Sequence, residues 1–300
     1  MPLVISGAKG FIVGLLMGSA DVVPGVSGGT IALVAGVYER LIASIRSGSS
    51  ALGSLVKGDF AGFSRHLRQV DWAFLILILA GIVTAVLSLA HFIEVQLVEQ
   101  PFILSGAFFG LVLGSVLVGV RMLRAPSSTH LLIATLVGFA FFALLGIGSS
   151  AVGSTTSLAF FGAGALAICA MILPGISGSL ILLMIGMYQT VLGAVNDREL
   201  GLIAVFVIGA IVGLAFFSQI LHYALRRWHD LVLAVLIGLM IGSLRILWPW
   251  PDGVDGPLLG APGSDLTATL LAGVIGFVAV LAIARLGIVQ EQPENREMKV

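Results

Sequence analysis

Apolar residues in this chain gather in long runs, and six runs have the length a bilayer demands, about 20 residues. They are Trp72–Ile93, Phe102–Leu123, Leu131–Gly148, Leu202–Leu221, Leu231–Trp248 and Leu266–Ile288. Two other apolar stretches stop early. Between Lys9 and Asp21, and again between Thr30 and Glu39, too few residues are available to cross. Half a bilayer is roughly 15 Å, or about ten helical residues. Each arm therefore reaches the midplane, and the pattern predicts re-entrant helix–turn–helix hairpins near residues 8–45 and 157–195.

The two hairpins are copies. DVVPGVSGGT, from Asp21 to Thr30, recurs as MILPGISGSL, from Met171 to Leu180, a displacement of 150 residues. Pro24, Gly25, Ser27, Gly28, Gly36 and Tyr38 fall on Pro174, Gly175, Ser177, Gly178, Gly186 and Tyr188. Further on, Gly110, Gly114 and Ser115 match Gly238, Gly242 and Ser243 at a displacement of 128. The 22 residues lost between the copies belong to the polar stretch Arg46–Asp71, present only in the first half. With Lys57, Asp59, Arg65, His66 and Arg68 among Leu, Val and Phe, that stretch reads as a cytoplasmic interfacial segment or as a solvated loop. The expected fold is an all-α polytopic membrane protein of two repeats, residues 1–150 and 151–300. Each repeat is a re-entrant hairpin followed by three transmembrane helices. An odd number of crossings per half makes the second copy upside down relative to the first.

Charge sets the orientation. Lys9, Arg40, Arg46, Lys57, Arg65, Arg68, Arg121, Arg124, Arg226, Arg227, Arg285, Arg296 and Lys299 all fall on one side if each hairpin returns to the side it came from. Glu94, Glu99, Asp252, Asp255 and Asp265 fall on the other. Basic loops stay inside, which predicts cytoplasmic termini. Lys9, the apolar run and Ser19-Ala20 imitate a signal peptide, but the same pattern recurs in mid-chain, where no cleavage signal belongs.

Composition agrees and excludes other classes. The chain is 58% hydrophobic and 10% charged, against about 25% charged in soluble domains. A formal net charge of zero argues against nucleic-acid binding. Cys169 is the single cysteine, so no disulfide framework is expected, nor a Cys/His metal site, nor a cofactor.

The Pro-Gly-x-Ser-Gly breaks carry the candidate chemistry. Pro24 disfavours helix in Val23, and Gly25, Gly28 and Gly29 permit a tight turn. A new helix is expected near Thr30, capped by Ser27 or Thr30, with its first N–H groups free to bind an anion. The inverted copy brings Ser177, Gly178 and Ser179 to the same depth. The candidate phosphate-binding set is therefore Ser27, Gly28, Gly29, Thr30, Ser177, Gly178 and Ser179. Asp21 is the only carboxylate deep in an apolar run, and its counterpart is Met171. A buried carboxylate is protonated, paired or bound to a cation. Asp21 is thus a candidate for proton or sodium coupling, with helix capping or a buried ion pair as the alternative. Arg245, in GSLRILWPW, is either a snorkelling arginine near the outer face or a phosphate contact. Glu39 and Arg40 are expected at the cytoplasmic mouth, and His91 and His222 at span ends.

Hydrolytic chemistry finds no support in the sequence. Gly25-x-Ser27-x-Gly29 matches a nucleophile elbow only by spacing, because no strand precedes it. Rhomboid proteases pair a similar turn with a deep histidine, which His91 and His222 do not supply. Polyprenyl-diphosphate phosphatases share re-entrant inverted repeats but use histidine and paired glutamates. The chain has no Glu-x-x-x-Glu pair and no histidine in either turn. A non-enzymatic transporter is expected.

The strings GLLMGSADVVPGVSGGTIALVAGVYERLI, LPGISGSLILLMIGMYQTVL and GLMIGSLRILWPW together resemble a bacterial polyprenyl-phosphate transporter family, once catalogued as a membrane domain of unknown function. The resemblance implies a translocase that returns undecaprenyl phosphate to the inner leaflet of the cytoplasmic membrane for cell-wall synthesis. Ion coupling and surrounding membrane lipids are further implied partners. A transporter for a small soluble anion is the alternative reading.

Overall fold

The computed structural model describes residues 7–22, 26–146, 155–252, 258–263 and 265–288. Val23, Pro24 and Gly25, and the turn expected of them, lie outside the described residues. The first motif region comprises α1 (Gly7–Asp21), α2 (Gly28–Val34) and α3 (Tyr38–Val56). Then come α4 (Phe60–Gln69), α5 (Trp72–Glu99), α6 (Pro101–Arg121) and α7 (Ser128–Leu145). The second motif region comprises α8 (Ser157–Ile172), α9 (Gly178–Met184) and α10 (Tyr188–Asn196). It leads into α11 (Leu200–Arg227) and α12 (His229–Ser243). A two-residue antiparallel pair, β1 (Pro251–Asp252) with β2 (Leu258–Leu259), precedes α13 (Leu266–Ile288).

Five of these helices, α5, α6, α7, α11 and α13, are long and apolar enough to cross a membrane. The sixth expected span is shorter than its apolar run. Helix α12 ends at Ser243, and Leu244–Trp248 folds into turns in which Arg245 N–H bonds Gly242 O and Ile246 N–H bonds Ser243 O. Such i→i+3 bonds tighten a helix end, and Pro249 biases Trp248 away from helix. Both motif regions bend at the same device. Gly36 and Gly186 stand at φ 71° and 70°. Val37 N–H bonds Ala32 O, as Met187 N–H bonds Leu182 O. This is a left-handed glycine closing a Schellman turn, open to residues without a Cβ. Helices α9 and α10 meet there at 111°.

Glycines let the long helices approach closely. Helix α1 lies parallel to α5, with Gly14 on the Ile78 carbonyl and Gly18 against Ile82 and Ala85. Helix α8 lies on α11 in the same manner, with Gly164 on the Phe206 carbonyl and Gly213 on Ala165. Gly81 meets Phe11 O, and Gly209 meets Phe161 O. Helix α1 thus ends beside the middle of α5. The other two pairs join the halves: α6 packs along α13 through Gly110 and Gly273, and α12 along α7 through Gly238 and Ala134. At Gly110 a Cβ would overlap the Gly273 carbonyl. Gly110→Val is expected to cost ~3 kcal/mol or more through overpacking against rigid backbone. It should show as a lower unfolding temperature in detergent, whereas Gly193→Ala, which meets nothing within 4 Å, should not.

Helices α6 and α12 run antiparallel. Gly119 faces Ile237, while the N–H groups of Arg124 and Ala125 donate to Asp230 at 3.0 and 2.7 Å. Asp230 also accepts from His229 Nδ1 at 2.9 Å, and this bond, with the two backbone donors, holds its carboxyl down to about 2. His229 Nε2 stands 3.1 Å from Glu39 Oε1, so one imidazole ties α3 to α12. Arg40 pairs with Asp71 and lies 4.4 Å over the Phe74 ring, while Asp71 Oδ1 also caps α5 at Phe74 N–H. Glu39 and Arg40, expected at the cytoplasmic mouth, are each engaged, Glu39 by His229 and Arg40 by Asp71.

The excess of the first half resolves into two features. Helix α3 has 19 residues where its counterpart α10 has 9, and α4 has no counterpart.

Candidate substrate site where the two motif turns meet

The distant motifs touch. Ser27 Oγ donates to Met171 O at 3.0 Å, and Gly175 N–H donates to Thr30 Oγ1 at 2.9 Å. Tyr38 Oη donates to Ile172 O at 3.2 Å. A Cβ on Gly29 would stand 2.6 Å from the Ile172 carbonyl. Ser27, Thr30 and Tyr38 are all buried. Three hydroxyls of the first motif region thus hold the backbone of the second, and hydroxyls suit this task because a buried carbonyl left unpaired is costly.

The helix expected near Thr30 begins two residues earlier, at Gly28, with Ser27 as its N-cap. Ser27 Oγ accepts Gly29 N–H at 3.1 Å, and Thr30 N–H bonds Ser27 O. Gly28 N–H is taken by Asp21 Oδ1 at 2.6 Å. The N–H groups expected to face a ligand are therefore bonded inside the protein, and a carboxylate already stands where an anion was foreseen. Thr30 is no cap; its hydroxyl serves the other motif. Among the described residues Asp21 has no ion-pair partner.

The second turn differs. Met171 replaces Asp21, and a Cβ on Gly178 would lie 2.7 Å from Met171 Cγ. Ser177 makes no side-chain cap and instead shares a 2.8 Å hydrogen bond with Ser179. Met171 is 41% exposed, while Ser177 and Gly178 are buried, as Ser27 and Thr30 are.

Arg245 lies at the end of α7, whose Leu145 packs with Ile176 and Leu180 on either side of the second turn. It leaves the turn after α12 and crosses the end of α7, with Cζ 4.7 Å from the Phe142 ring, where a Cβ on Gly146 would lie 2.5 Å from Nη2. Beside it, Phe109, Trp248 and Trp250 stack edge to face, and Trp248 Nε1 donates to Gly260 O at 3.1 Å. An aromatic group of this kind fits a membrane–water interface. His222 lies on α11 near Arg46, and the side chain of His91 lies outside the described residues.

The sequence reading passed over Tyr38 as a polar partner and His229 altogether. Tyr38 had one available signal, its recurrence as Tyr188. His229 had none, because its partner Glu39 lies far away in the chain.

The described residues thus form a polytopic helical membrane protein whose two broken-helix motifs are bonded to each other. A family profile described as undecaprenyl phosphate translocase-like matches residues 17–257. The chain belongs to that family. It is 43% identical over 243 residues to a protein of Vibrio cholerae named polyprenyl-phosphate transporter, covering 81% of this chain and 78% of that one. A protein of the same name from Staphylococcus aureus is 31% identical over 293 residues, covering 91% and 94%. No solved structure matches the chain.

Proposed function

We propose that the protein carries undecaprenyl phosphate from the outer to the inner leaflet of the bacterial cytoplasmic membrane, returning the lipid for reuse. The joint between the turns is the observation that carries this reading. It lies beside the middle of α5 and bonds Ser27 and Thr30 to Met171 and Gly175, just ahead of the Ser177-Gly178-Ser179 turn. A small phosphate head passes such a joint while the apolar tail stays in lipid. Hydroxyls such as those of Ser177 and Ser179 attract it without the strong trap of a buried cation.

The two halves are read as inverted-topology repeats, 1–150 and 151–300, with re-entrant hairpins and cytoplasmic termini. Support comes from the antiparallel course of the matched helices α6 and α12 and from the equivalent packing of α1 on α5 and α8 on α11. Coupling to a proton or sodium ion is assigned to Asp21.

The test is reconstitution in liposomes with labelled undecaprenyl phosphate, reading the leaflet of the label over time. Faster movement than in empty vesicles is expected. Movement of inorganic phosphate but not of the lipid would overturn the reading in favour of a small-anion carrier. In the same assay Arg245→Ala should raise the lipid concentration needed from the outer side, and Arg245→Lys should keep part of the activity. An unchanged Arg245→Ala would return this residue to an interfacial role.

A further inference from the structure

The helical hairpin α3–α4 has no counterpart in the second half beyond the short α10, and transport as proposed gives it no task. Its inner face is conventional: Gly62, Phe63 and Leu67 of α4, with Val70 just after it, turn toward α3, and Asp59 caps α4 at Gly62 N–H. Its outer face is not. Leu52, Leu55, Val56 and Phe60 are exposed at the tip, Val56 by 82% and Phe60 by 71%. Lys57, Arg65 and Arg68 are exposed beside them. None of these three has an ion-pair partner among the described residues, and Asp59 spends its carboxylate on the cap.

The level of the hairpin decides what covers this tip. Its base is held at the start of α5, where Arg40 pairs with Asp71. Its middle touches α11 at Ser49 Oγ to Ser218 Oγ, 3.4 Å. Ser218 lies nine residues inside Arg227, the end of α11, or about 13 Å along the helix. Around it α11 shows Phe216 and Ile220 outward, as a lipid-facing helix does. The hairpin therefore lies along the rim of the bundle at the depth of the membrane boundary and does not project away from it.

We infer that the α3–α4 hairpin is seated in the cytoplasmic leaflet, with Leu52, Leu55, Val56 and Phe60 among the acyl chains and Lys57, Arg65 and Arg68 on the head groups of anionic phospholipids. Amphipathic helices with basic flanks bind such surfaces through buried apolar area plus charge. Seated there, the hairpin tethers the second arm of the first motif, through Arg40 and Tyr38, to the membrane plane. The inference rests on the proposed orientation and is independent of the substrate.

The test uses the full chain with Cys169→Ser, carrying one of Val56→Cys, Phe60→Cys, Gln69→Cys or Arg285→Cys, labelled with a fluorophore. Proteoliposomes are made of phosphatidylcholine alone or mixed with phosphatidylglycerol, each with lipids bearing a quencher in the chain. Labels at 56 and 60 should be quenched and the label at 69, on the opposite side of α4, much less, with deeper quenching in the anionic vesicles. Lys57→Gln, Arg65→Gln and Arg68→Gln together should remove that difference. Unquenched labels at 56 and 60 in both vesicles overturn the inference and return the hairpin to solvent. Equal quenching in both vesicles overturns its anionic part. The Arg285 label, tested with an impermeant quencher from each side, reports orientation separately: if it lies opposite to the hairpin, the membrane plane proposed above is wrong.

Discussion

Gly29→Val is expected to abolish lipid transfer while the protein still inserts and purifies. A Cβ at Gly29 would stand 2.6 Å from the Ile172 carbonyl oxygen and 3.3 Å from its carbon. Both are backbone atoms at the end of α8, so no rotation relieves the overlap, and the two turns must part. The Ser27, Thr30 and Tyr38 bonds to residues 171, 172 and 175 lie in the same patch and would open with it. Losing buried hydrogen bonds costs about 1 kcal/mol each, which long helix packing elsewhere can absorb. Function therefore fails before the fold does. Gly28→Val tests a neighbouring feature more gently, because its Cβ would meet the Asp21 carboxylate at 2.6 Å and push it off the Gly28 N–H. Transport by Gly29→Val at the wild-type rate, measured in the liposome assay, would remove the joint from the lipid's path.

How much of this was legible in the sequence depends on the range of the interaction. Apolar length and the 150-residue repeat are local or self-comparing signals, and they foretold α5, α6, α7, α11 and α13 and the breaks around α2 and α9. Matching glycines such as Gly14 and Gly164 were visible as copies, and the structure gives them the same task on two different helix pairs. The span through Trp248 was overread because hydropathy cannot register a backbone that tightens after Ser243. The inner wiring was not legible. Nothing local marks Thr30 as the acceptor for Gly175 N–H, since a threonine after Ser-Gly-Gly reads first as a cap. Nor did the free N–H groups expected at the first turn survive, because Asp21, seven residues earlier, folds back onto Gly28. The capping alternative weighed for Asp21 describes that contact. The phosphate-binding role of the turn residues stands as a proposal.

Asp21→Asn separates capping from coupling, because the two roles need different properties of one side chain. A cap needs an oxygen that accepts Gly28 N–H, and the carbonyl of asparagine supplies one in the same place. Coupling needs a group that gains and loses charge or ligates a cation, and the amide does neither. The variant is therefore expected to fold with wild-type stability and to equilibrate labelled lipid between leaflets. It should fail to accumulate lipid against a gradient when a proton or sodium gradient is imposed. Asp21→Ala should lose both roles, with a stability loss of about 1 kcal/mol for the missing cap. The asymmetry of the halves motivates the assignment: Met171 holds the equivalent place in the second turn, so the carboxylate is not required merely to build such a turn. If Asp21→Asn is still driven by the imposed gradient, Asp21 is not the coupling site. If the asparagine variant fails to fold while Asp21→Glu folds, the negative charge itself holds the hairpin, and the role is structural.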